Sequence, residues 1–153
     1  MATTVEAATL DVVITESITL NGANYGNAIT KTFITQGKVD QRIMEITDVE
    51  EVFTTIIALS TVDSKGTMIV ADWAYFRITN LDDTNHIVLQ LYIDASKQSY
   101  HKVEAGESFL LMSPDMDVLC EEELPVLTDL TQINAQVADV EAPVEIEYTI
   151  ITA

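Results

Sequence analysis

Two histidines, one cysteine and several short acidic clusters are the residues of this 153-residue chain whose types could do chemistry. His86 and His101 each carry the ring nitrogens of a general base. Such a base needs a nucleophile and a third group to orient it, and no serine stands in a G-x-S-x-G turn. Cys120 is followed by Glu121, Glu122 and Glu123. A reactive thiol needs positive surroundings to hold its thiolate, so Cys120 reads as a small core residue and the three glutamates as solvated charge. A single cysteine also excludes an internal disulfide and a cysteine-rich zinc site. Paired carboxylates can hydrolyse a glycosidic bond across a cleft, but among 25 acids chance pairs abound and none is singled out. Calcium is the better-motivated ligand: Asp82-Asp83-x-Asn85 and Asp115-x-Asp117 put oxygen donors on loops, without the full spacing of a calcium-binding loop. Turn formation is the simpler use of those residues. The expectation is a protein that is not an enzyme and has no cofactor.

Charge narrows the partners further. The chain has 25 acidic and 7 basic residues, a net charge of −18, and every charged residue after Lys102 is acidic. Nucleic-acid affinity comes mainly from Lys and Arg displacing counterions, so nucleic acid is excluded as a ligand. Acid in this amount faces solvent or meets a basic partner. The first residues lack a basic segment followed by a continuous apolar run, and no apolar stretch approaches the ~20 residues of a membrane helix. A soluble protein made in a cytoplasm is expected, with no membrane partner.

The elements that must carry these residues read as strands. Apolar residues make up 48% of the chain, enough for a core, and the glycines at 22, 26, 37, 66 and 106 punctuate runs rich in Val, Ile, Thr, Tyr and Phe. Strands are expected near 10–20, 29–35, 38–46, 52–60, 67–71, 73–80, 87–94, 98–103, 108–112, 132–138 and 143–151. The last alternates Val144, Ile146, Tyr148 and Ile150 against Glu145, Glu147 and Thr149, so it should be half-buried, with Pro143 at its start. Phe109-Leu110-Leu111-Met112 is apolar on both faces, which suggests a central strand. A turn is expected at 48–50 and one helical turn within 124–131. Many short strands without βαβ alternation indicate an all-β fold, an antiparallel β-sandwich of jelly-roll or Greek-key type, with a closed barrel as the alternative. Residues 1–9 read as an N-terminal arm and 10–153 as a single domain.

One register can be argued from pattern. If Asp82-Asp83-Thr84-Asn85 closes a hairpin, Ile78 faces Leu89 and Phe76 faces Leu91 on an apolar side. The opposite side then gathers Trp73, Tyr75, Arg77 and Tyr92. Aromatic residues on a face turned away from the core suit a contact with a neighbouring subunit, unless another segment covers them. A sugar-stacking platform is a further use of the same three aromatics. The hairpin around Glu104-Ala105-Gly106-Glu107 follows the same logic.

The stretch FRITNLDDTNHIVLQLYIDASKQSYHKVEAGESFLLM, Phe76 to Met112, resembles a pattern common in small β-rich virion proteins of tailed bacteriophages. In that pattern a strand ends in "TN", a second strand follows, and a run closes on "pGe" before an apolar strand; here Ala105 stands in place of the proline. Ile133 to Asp139 followed by Val144 to Tyr148 is similar to the "I-x-A-x-A-D … V-x-V-E-Y" ending of the same proteins, with Val137 one place before the second alanine. The resemblance leaves most of the chain uncovered and carries no catalytic residue. It implies a non-enzymatic role in a virion. The expected function is capsid decoration or cement, as a homo-oligomer bound to the major capsid protein, with Thr3, Thr4 and Val5 of the arm lying across an adjacent subunit. A neck or tail component (tube, terminator or adaptor) is the alternative, and a carbohydrate-binding or fibre domain the one after it.

Overall fold

The computed structural model describes residues 8–35, 38–47, 52–61, 68–69, 73–112, 130–137 and 143–152. Their runs of β-branched and aromatic residues form strands throughout, and no helix occurs among them. The strands are β1 (Ala8–Thr15), β2 (Thr19–Leu20), β3 (Ala23–Asn24), β4 (Ala28–Thr35), β5 (Val39–Ile46), β6 (Thr54–Ser60), β7 (Met68–Ile69), β8 (Trp73–Asn80), β9 (Ile87–Asp94), β10 (Lys97–Val103), β11 (Ser108–Leu111), β12 (Gln132–Val137) and β13 (Val144–Thr152). The turn expected at 48–50 and nearly all of 124–131 lie outside the described residues, as do Cys120, Asp115, Asp117 and the three glutamates at 121–123.

Two sheets form the body. One has the order β11-β8-β13-β5 and the other β10-β9-β12-β6-β7, antiparallel apart from the short parallel pair β6–β7. The alternation in β13 works as its sequence suggests: Val144, Ile146, Tyr148 and Ile150 are buried, and Glu145 is exposed. The inward residues of both sheets belong to one hydrophobic cluster, with Phe76, Ile78 and Ile146 on one side and Ile87, Leu89 and Ile133 on the other. Each such side chain contributes about 1.5–3 kcal/mol by leaving water.

The two hairpins expected between 73 and 112 do not form. β8 and β9 lie in different sheets, and so do β10 and β11, so residues 81–86 and 104–107 cross from one sheet to the other. β8 pairs instead with β13 and β11, and β9 with β10 and β12. The physical reason is that alternation fixes which side chains face inward and leaves the neighbouring strand open. Phe76 and Leu91 share an apolar interior by facing each other across the core as well as they would side by side. Side chains hold the crossings. Asn80, fully buried, donates from Nδ2 to the carbonyl oxygens of Asn85 (2.8 Å) and Val103 (3.3 Å), tying one crossing to the strand that enters the other. Asp82 Oδ1 accepts the backbone N–H groups of Thr84 (2.7 Å) and Asn85 (2.6 Å), which lowers its pKa from the usual carboxylate value.

Two further expectations change. β11 is an edge strand of its sheet, although both its faces are apolar. Trp73 points into the core because the β8–β13 ladder carries a bulge between Ile151 and Thr152 that resets the alternation, so Trp73 and Phe76 are buried on the same side. β9 and β10 form a true hairpin, its turn closed by Asp94 Oδ1 accepting the N–H groups of Ser96 (2.8 Å) and Lys97 (2.9 Å).

The remaining strands make a separate ribbon. β1 pairs with β4 from Ala8↔Thr35 to Thr15↔Ala28 and β2 pairs with β3 beyond them. Between these ladders Glu16 N–H donates to Asn27 C=O (2.7 Å) and Tyr25 N–H to Ile18 C=O (2.8 Å), so a single register runs the length of the hairpin. Asn21 (φ 51°) and Gly22 (φ 79°) make the reversal with both central residues in the left-handed region, the two-residue turn that matches strand twist. Gly26 sits where a Cβ would collide with the Glu16 carbonyl oxygen.

Candidate functional site

Of the residues expected to share a face, Tyr75 and Arg77 do, whereas the bulge in β8 turns Trp73 inward and the 81–86 crossing puts Tyr92 in the other sheet. Trp73 is 2% exposed, inside the core. Tyr75 is 5% exposed on the outer face of its sheet, where the ring of Phe33 from β4 lies over it at 5.8 Å. Another segment therefore covers this part of the sheet. Burial pushes the pKa of Tyr75 up. Arg77 is half-buried on the same outer face, with Nη2 2.8 Å from Glu147 Oε2 and within 3.5 Å of Thr149 Oγ1. Gln41 Nε2 donates to the other oxygen of Glu147 at 2.7 Å. Thr3, Thr4 and Val5 lie outside the described residues, and β1 begins at Ala8, inside the range expected as the arm.

Tyr92 stands on the outer face of the other sheet, level with Gln132 of β12 and Gln98 of β10. Beside it runs a row of amides. Asn134 Nδ2 donates to Gln90 Oε1 (2.7 Å), and Gln90 Nε2 donates to Gln98 Oε1 (2.8 Å). Tyr100 of the same face packs on Phe53 at 5.8 Å. Gln90 and Asn134 are buried, so these bonds satisfy groups that would otherwise be costly in a dry layer.

The titratable groups are engaged in structure. His101 packs on Phe109 at 4.7 Å, with Ser99 Oγ 3.3 Å from Nε2, and burial lowers its pKa. The Tyr148 hydroxyl donates to Asp40 Oδ2 at 3.0 Å while Asp40 Oδ1 accepts from Arg42 Nε at 2.8 Å. Burial, then the bond to Asp40, pushes the Tyr148 pKa up to about 12. Among the described residues, no three His, Cys, Asp or Glu side chains come together as a metal ligand set. No helix among them is long and apolar enough to cross a membrane.

The feature that pattern reading passed over is the hairpin itself. Its register sorts side chains onto two faces. One carries Leu10 with Phe33, Val12 with Lys31, Ile14 with Ile29, Ile18 with Tyr25, and Leu20 with Ala23; the other is rich in threonine. Phe33 on Tyr75 and the Lys31 Nζ bond to the Met112 carbonyl oxygen (2.6 Å) tie the near part of the apolar face to the body. Lys31 also lies over the Phe33 ring at 4.8 Å. Farther out the face meets water and stays mostly apolar, interrupted by the Glu16–Asn27 rung: Ile14 is 40% exposed and Ile29 60%, and Ile18, Leu20 and Tyr25 are exposed as well. The sequence signal for this was Asn21-Gly22 between two alternating runs, the strongest short-range hairpin pattern. Comparison with protein-family models, with curated proteins and with solved structures finds no match.

Proposed function

We propose that this chain is a non-enzymatic structural subunit of a virion, a capsid decoration or cement protein whose surroundings are the major capsid protein and other copies of itself. In this reading the two sheets form a sandwich of Greek-key or jelly-roll type that serves as a rigid acidic body. The observation that carries the proposal is the amphipathic hairpin. An isolated two-stranded ribbon is only marginally stable in water, and a contiguous exposed apolar face marks a protein contact. A side chain such as Ile29 gains nothing from facing solvent and gains about 1.5–3 kcal/mol when a neighbour covers it. The acidic body supports the same reading, because a net charge of −18 keeps the outside of a particle from adhering to nucleic acid.

That charge favours one second reading, a neck or tail component whose acidic lining lets DNA slide past. The carbohydrate-binding reading needed Trp73, Tyr75 and Tyr92 in one plane, and the first two lie elsewhere. The test is to add the labelled protein to particles that lack it and image them. Label over the whole shell supports decoration, label at one vertex supports the neck or tail, and no binding removes both.

A further inference from the structure

We infer that the hairpin is a self-association surface: the distal apolar face of one copy, built by Ile14, Ile18, Leu20, Tyr25 and Ile29, packs on the same face of a second copy of this chain. The inference deepens the reading above by naming the partner, and it rests on that reading in taking the hairpin as the contact element.

Charge selects the occupant. Residues 8–35 contain Asp11, Glu16 and Lys31, a net −1, which leaves −17 to the rest of the chain. A basic partner would find its attraction on the acidic body and little on the hairpin. An identical chain meets the reverse situation, because repulsion between two acidic bodies is smallest where they touch through an element of little net charge. On the body, two of the exposed apolar side chains stand beside acids: Ile43 lies across from Glu147 and two residues from Glu45, and Leu81 adjoins Asp82. On the distal hairpin Glu16 is the one charge on the apolar face; it lies level with Asn27, between the Ile14–Ile29 and Ile18–Tyr25 rungs, and is exposed.

Shape agrees. The complement of a flat apolar ribbon is another such ribbon, stacked about 10 Å away with both threonine faces turned outward. The exposed areas of the five residues come to on the order of 500 Å² per copy, somewhat below the ~800 Å² per partner of a standard interface. The contact is isologous, so it closes at two copies.

The test is sedimentation of the full chain over a concentration series, at low and at high salt. A dimer that tightens as salt rises is expected, since salt screens the repulsion between bodies and leaves apolar contact intact. Ile14→Asp and Ile29→Asp should each weaken it by about thirtyfold or more. The double variant Ile14→Thr with Ile29→Thr, which keeps strand propensity, should weaken it too. Val13→Asp, on the threonine face, should not. A wild-type monomer, a dimer loosened by salt, or a dimer that tolerates these changes overturns the inference. If the wild type is monomeric and Ile29→Asp nevertheless abolishes binding to particles, the hairpin meets capsid protein, and the proposed function stands while the self-association falls.

Discussion

β13 and the β1–β4 ribbon are written in the same code and meet opposite fates. Both alternate large apolar side chains with polar ones. In β13 Ile150 is 1% exposed, because a second sheet lies over it and strands flank it on both sides. In β4 Ile29 is 60% exposed, because the ribbon has two strands and no second sheet lies over this part of its face. Alternation thus states which face is apolar. Whether that face is covered depends on chain topology, and coverage by another molecule is what the ribbon invites.

The contrast can be broken by mutation. Phe76→Ala, in the sealed core, should lower unfolding stability by about 3–5 kcal/mol, while Ile34→Ala at the far side of the ribbon should stay within about 0.5 kcal/mol. Denaturant titration measures both, and comparable losses would show that the ribbon is packed as tightly as the core. Asn80→Ala should cost about 1–3 kcal/mol, because it leaves the Val103 and Asn85 carbonyl oxygens without their donor in a buried layer. A loss near zero would mean the crossings hold without it.

Tyr148→Phe should cost about 1 kcal/mol at neutral pH, the net worth of one hydrogen bond, and more telling is its effect on pH dependence. In the folded protein Tyr148 keeps its proton up to about pH 12, whereas its ordinary pKa is 10.0. Between those values the folded state holds more protons than the unfolded one, so stability is intact below the lower value and falls as pH rises through the window. Melting curves at alkaline pH should show that fall, and it should be shallower in Tyr148→Phe, with Tyr75 supplying what remains. Equal slopes would mean that its buried site does not hold the Tyr148 proton in solution. Gly22→Ala should cost about 1 kcal/mol, since φ at Gly22 is 79° and a side chain is strained there. Amide exchange should quicken in the ribbon alone; quickening in β8 or β13 as well would show that the two regions unfold together.

Much of the architecture was legible in the chain. The strands at 73–80 and 87–94 begin and end where the composition places them, and the buried set of β13 follows from its alternation. Pairing was not legible, for a physical reason: Asp82-Asp83-Thr84-Asn85 satisfies its amides through the Asp82 carboxylate, and the same four residues could close a hairpin or bridge two sheets. Trp73 illustrates a second limit, since a one-residue bulge in its own strand, at Ala74, reverses the side a residue faces. Leu110 and Leu111 illustrate a third, because β11 is apolar on both faces yet ends its sheet. The hairpin's uncovered apolar face went unread because pattern reports hydrophobicity and is silent on what lies above it.

The position of β13 bears on synthesis. It lies between β8 and β5, so the sheet stays in two pieces until 144–152 has left the ribosome. Until then the nascent chain shows two unfinished edges beside a greasy trough, the kind of surface that chaperones exist to shield.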